Sequence, residues 1–94
     1  MARKKSSPIV VKIAGAEWTV RRRKLSDAHG VCYHDRRVIE IDTGTTGVEL
    51  WKTIIHEAIH ASVPDLAEEA VSRLEIDIAE TLNACKDWLT RGDA

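Results

Sequence analysis

Ninety-four residues, 44% apolar and 31% charged, read as a single globular domain of ordinary composition, near the lower end of what builds a self-sufficient core. No apolar run approaches the length of a membrane span, and the N-terminus lacks the apolar core of an export signal, so a cytoplasmic location without a membrane partner is expected. The net charge of −1 hides an asymmetry: residues 1–47 hold ten Lys/Arg against five Asp/Glu, a net of +5, and residues 48–94 hold four against ten, a net of −6.

The first seven residues carry little to bury and read as a disordered basic tail, with one domain over 8–90 and a frayed end over 91–94. Ile9 to Ile13 is short and β-branched, a strand. Ala14-Gly15-Ala16-Glu17 turns into a second strand, Trp18 to Arg23, in which Trp18 and Val20 share the inward face. Arg3-Lys4-Lys5 and Arg21-Arg22-Arg23-Lys24 are the places where nucleic acid or an acidic partner would bind through the basic N-terminal half. No aromatic interleaves them for base stacking, which favours a solvated tail and an exposed strand face whose charge discourages edge pairing.

Val31 to Tyr33 and Arg37 to Asp42 read as two more strands around a His34-Asp35-Arg36 turn, with Ile39 and Ile41 on one face. Cys32 and Cys85 have no metal-type spacing and are expected to be buried free thiols. Thr46 with Glu49 three residues later forms a capping box, which predicts a helix from there to about Ser62. Its apolar stripe is Leu50, Trp51, Ile54, Ala58 and Ala61, with Ile55 beside it. Pro64 ends that helix and Asp65 can cap the next, read as one long amphipathic helix over 66–89 with Val71, Leu74, Ile78, Leu82, Cys85 and Leu89 inward. The fold class that follows is α+β: a short twisted sheet packed on one helix, with a second long helix across it.

Within the first helix, His56-Glu57-Ala58-Ile59-His60 spells H-E-x-x-H. Positions i and i+4 share a helical face, so the two imidazoles can converge on one tetrahedral ion while Glu57 reaches a water bound to it. Shuffling this composition yields the pattern in about one per cent of cases. On the helical wheel both His lie away from the centre of the apolar stripe, with Glu57 between them. A catalytic zinc site takes three protein ligands and keeps one position open, so a further ligand is required. Glu68 can lean into the interhelical cleft. Glu69 should face solvent. Glu75, one heptad beyond Glu68, is an alternative ligand or a support for one. His29 and His34 flank the third strand and could border the cleft or polarise a substrate carbonyl, and Tyr33 could serve an oxyanion; surface His and a packed Tyr are the commoner states.

His56 to His60, followed on a second helix by Glu68-Glu69-Ala70-Val71-Ser72, resembles the zincin metallopeptidases of the gluzincin group, and most of all their minimal ImmA/IrrE-like and phage-type domains. The resemblance covers residues 31–89. It implies zinc held by His56, His60 and a Glu of the following helix. In several compact branches that Glu is followed three residues on by Ala and four on by Asn or Asp; the matching Val71 and Ser72 favour Glu68. Two departures stand out. Only seven residues separate His60 from Glu68, and the insertions that build substrate pockets in that group are missing. The expected activity is hydrolysis of peptide bonds through a zinc-bound water activated by Glu57. The alternative is a non-catalytic zinc-stabilised binding or regulatory module, phage- or prophage-encoded, and a third is a nucleic-acid accessory protein.

Overall fold

The structure, a computed structural model, describes residues 7–91. Most of the expected tail and frayed end therefore lies outside the described residues. The architecture is α+β: a four-stranded mixed sheet with helices on one face. The strands are β1 (Ile9–Ile13), β2 (Ala16–Arg23), β3 (Gly30–Tyr33) and β4 (Val38–Asp42), and the helices α1 (Gly47–Ser62), α2 (Glu68–Ala84) and α3 (Lys86–Arg91).

The first hairpin closes tighter than expected. Ala14 and Gly15 alone form its loop, with φ of 52° and 81°, the positive pair that a two-residue turn of matching twist requires. Ala16 and Glu17 already belong to β2. Sheet order is β1-β2-β4-β3, so the two hairpins join through a parallel β2–β4 pair that puts Val20 opposite Ile39 and Arg21 opposite Glu40. Strand β2 is thus central, and its basic end does not guard an edge. On the inner face Trp18, Ile39 and Ile41 are buried and pack with Ala61 of α1, bordered by Val11, Val20, Cys32 and Leu50.

The arginine cluster is committed inside the molecule. On the outer face Arg21 places Nε and an Nη at 3.0 and 2.7 Å from Glu40 Oε2, and Arg23 reaches the same oxygen at 3.4 Å. Arg22 turns the other way and donates to the carbonyls of Asp42 and Thr45 at 3.0 and 2.8 Å, fastening the loop before α1. Burial alone would raise the Glu40 carboxyl, but the hydrogen bonds and charges of Arg21 and Arg23 prevail and hold it below the ordinary carboxylate range.

Five expectations about the helices need correction. Thr46 occupies the N-cap of α1 in extended conformation, but its side chain makes no capping bond. The buried face of α1 is Thr53, Glu57 and Ala61, and Ile54 is 43% exposed, so the helix is rotated from its apolar stripe. Asp65 does not cap α2: Leu66 donates back to Val63 in a tight turn, and Ala67 is the cap. The long second helix breaks at Cys85, whose N–H is shared between Thr81 and Leu82 carbonyls at 3.1 Å, and α3 continues without burying any residue. Of the apolar positions expected inward on α2, Val71 is buried but Leu74 and Ile78 are exposed, and Ala79 takes the inner place.

The depressed Glu40 carboxyl contributes stability that is full above the ordinary carboxylate pKa of about 4.3 and is lost as pH falls toward its native value. Arg21→Met should therefore lower unfolding stability by about 2 kcal/mol at pH 7, the weight of a charge-assisted hydrogen bond to a buried carboxylate. In urea titrations the deficit should shrink at pH 3. A deficit equal at both pH values would assign it to lost packing of the arginine stem.

Candidate metal centre

The H-E-x-x-H segment lies on α1, and α2 runs back along it after the connection over residues 63–67. His56 and His60, one turn apart, aim Nε2 at a common point and stand 3.1 Å from each other. Glu68, in the first turn of α2, places Oε2 at 3.1 Å from His56 Nε2 and Oε1 at 3.2 Å from His60 Nε2. Zinc bonds to N and O of 2.0–2.1 Å give tetrahedral edges of about 3.3 Å; the Nε2–Nε2 separation is close to one such edge, and the Glu68 carboxylate faces the pair with a different oxygen toward each imidazole. Two imidazoles and one carboxylate are also the donor chemistry that zinc takes when a fourth position stays open. Among the described residues this is the one group of three or more His, Cys, Asp or Glu that closes on a point, with its donor atoms within 4.8 Å of one another.

Glu75 takes a different part. Its Oε1 lies 2.5 Å from His56 Nδ1. A carboxylate only accepts, so a proton sits on Nδ1, and in the neutral ring this leaves the lone pair on Nε2. Glu75 thus holds His56 in the tautomer a metal ligand needs. Glu69 is exposed and outside the group, as its wheel position implies.

Glu57 is 8% exposed and is not one of the converging donors. Its stem is pressed against β3. A Cβ built on Gly30 would stand 3.0 Å from Glu57 Cγ and 2.7 Å from Thr53 Cγ2, so only glycine lets strand and helix approach this closely. Burial raises the Glu57 carboxyl; His56 and His60 pull it down, Glu68 and Glu75 push it up, and the balance lies above the ordinary value. The carboxylate opens into a cleft of about 280 Å³, walled by His29, Gly30, Thr53, His56 and Glu75 among others.

The remaining candidates divide. His29 lines the cleft, with Nδ1 3.1 Å from Thr45 Oγ1. His34 does not; its ring stands edge-on to Trp18 at 5.8 Å. Tyr33 carries the Arg36 guanidinium over its ring at 4.2 Å, away from the cleft wall. Cys32 and Cys85 are free, but half-buried rather than buried. Burial first, and then the nearby Glu57 charge, push the Cys32 thiol up to about 11, which leaves it protonated and unreactive at neutral pH. Sequence reasoning missed Gly30 and Thr53 as cleft walls. A loop glycine just before a strand was the one available signal, and it does not say which helix it will touch.

No protein-family model, curated protein or solved structure matches this chain.

Zinc affinity, measured by competition with a chromophoric chelator, should separate the three carboxylates. Glu68→Ala removes a donor and should abolish tight binding. Glu75→Ala frees the His56 ring and should weaken binding roughly 10- to 100-fold. Glu69→Ala should leave it unchanged; an affinity loss there equal to that of Glu68→Ala would transfer the ligand role.

Proposed function

We propose that this chain is a zinc-dependent metallopeptidase of the minimal gluzincin-like kind, acting in the cytoplasm. The observation that carries the reading is the separation of roles on α1: His56 and His60 converge with Glu68, while Glu57 stays out of that group and opens into the cleft. A site that only fastened two helices together would have no use for a buried, unligated carboxylate beside its donors.

His56, His60 and Glu68 would hold the ion. When bound, zinc would polarise the scissile carbonyl and acidify a water. Glu57 takes the proton from the attacking water and returns it to the leaving amine; a carboxyl raised by burial is suited to both halves of that transfer. Glu75 keeps His56 correctly protonated, and Gly30 and Thr53 hold the Glu57 stem in place. Strand β3 is an outer strand of the sheet and starts at the cleft wall, so an extended peptide can align along its open edge.

A second reading has one observation in its favour. The buried apolar residues among those described are Trp18, Ile39, Ile41, Ala61, Val71 and Ala79, a small core that a metal clasp between α1 and α2 would reinforce. On that reading the chain is a zinc-stabilised binding or regulatory module, phage- or prophage-encoded. Nucleic acid is a weaker choice of partner than a peptide, because Arg21, Arg22 and Arg23 are all engaged within the fold. No helix among the described residues is long and apolar enough to cross a membrane.

The purified protein should contain about one zinc per chain, lost in His56→Ala and in His60→Ala. Glu57→Gln should keep both zinc and fold while peptide hydrolysis falls by roughly 10² or more. Zinc content with no hydrolysis in either form would select the structural module, and a folded wild type that takes up no zinc would end both readings.

A further inference from the structure

We propose that His29 is a further catalytic residue of this cleft, donating its Nε2–H to the substrate carbonyl oxygen as negative charge develops on it. The inference rests on the peptidase reading and adds the donor that reading lacks.

Three placements support it. The His29 carbonyl accepts from Asp42 N at 2.7 Å, which ties the residue's backbone to β4. The next residue, Gly30, lies against the stem of Glu57, so His29 enters the cleft one residue from the base. Its ring is anchored by Nδ1, 3.1 Å from Thr45 Oγ1.

The anchor also decides which nitrogen carries the proton. Thr45 is 3% exposed, so its hydroxyl proton has no bulk water to turn to. Among the described residues, the hydrogen-bond partner of that hydroxyl is His29 Nδ1. Thr45 therefore donates, Nδ1 accepts, and the neutral ring carries its own proton on Nε2. The opposite tautomer would leave a buried O–H with no acceptor.

The other side chains of the cleft are poorly placed to give this hydrogen bond. Glu49, Glu57 and Glu75 accept when ionised. The His56 proton is taken by Glu75, and the Thr53 hydroxyl donates to the Glu49 carbonyl at 2.8 Å. Ser72, on α2, is the one competing hydroxyl in the wall. His29 is the donor that comes from the β3 side, where Glu57 is packed.

Two measurements on the full chain test this. Long-range ¹H–¹⁵N NMR should show His29 as the Nε2–H tautomer, and Thr45→Val should lose that preference. With a mixed library of internally quenched peptides, His29→Ala should lower kcat by roughly 10²–10³, the weight of one oxyanion donor, with KM and zinc affinity near wild type. His29→Gln, which keeps a side-chain N–H, should recover part of the loss. An Nδ1–H tautomer, unchanged kcat in His29→Ala, weakened zinc binding in that variant, or a larger loss in Ser72→Ala would each overturn the assignment. An active wild type with an active His29→Ala would sink the His29 role alone. A wild type that hydrolyses nothing in the library would remove the peptidase reading and the His29 role with it.

Discussion

Sheet and helix meet at Gly30 so tightly that a Cβ there would stand 2.7 Å from Thr53 Cγ2, and much of the site follows from that contact. Because β3 arrives there without a side chain, α1 can lie against it with Thr53 and Glu57 inward. Residues four apart share a helical face, so Ala61 follows them onto the sheet. His56 and His60 stand at the border of that face and turn toward α2 instead. One contact of the sheet thus helps to set where Glu57 is buried and where the imidazoles emerge. A larger residue at position 30 would lift the strand from the helix at the point where the Glu57 stem is held.

The domain accepts polar groups in places where a larger protein would put apolar ones. Glu40, Thr45, Thr53 and Glu57 are all buried. Thr45 is answered by His29 and Thr53 by the Glu49 carbonyl, while two arginines meet Glu40 on Oε2 and leave its buried Oε1 without a partner. Glu57 differs in another way: its carboxyl is raised by desolvation and opens into the cleft, while its stem is held by packing. Carboxyls raised by burial at the wall of a cleft are found more often at functional sites than elsewhere.

Local pattern in the sequence carried the elements well and their assembly less so. The four strands follow from alternation and β-branched runs, the end of α1 from Pro64, and the grouping of Glu68 with the two His from its place on a helical wheel. The parallel β2–β4 pair does not, since nothing local distinguishes it from a plain succession of hairpins. Without that pair Arg21 and Arg23 look like a solvated basic face, and Glu40 has no visible partner. The rotation of α1 was hidden for a similar reason: its apolar stripe is real, but the glycine that decides which face meets the sheet lies more than twenty residues away. Asp65 is a good capping residue by type, yet the short turn from Val63 to Leu66 claims it first. The break at Cys85 falls where α3 has nothing to bury against, with Trp88 and Leu89 60% and 58% exposed, so the apolar stripe alone could not sustain one straight helix.

The shortness of the link between α1 and α2, a departure from the group the chain resembles, is what makes the site compact. With only seven residues between His60 and Glu68, the second helix must turn back at once, and its first turn lies beside the last turn of α1. The two helices then pair residues in opposite order: His60 meets Glu68 near the turn, while His56, one turn earlier, meets Glu68 on one ring nitrogen and Glu75, two turns farther along α2, on the other. The ligand and its support can therefore sit seven residues apart on a single helix face without any inserted segment. His56 is braced through both nitrogens, whereas His60 relies on contacts at Nε2 alone. The inner imidazole is consequently the fixed point of the donor triangle, and Glu68, 64% exposed at the start of α2, is its most adjustable corner. A cluster with one rigid and one yielding side can adjust at Glu68 without reorganising the buried Glu57 next to it.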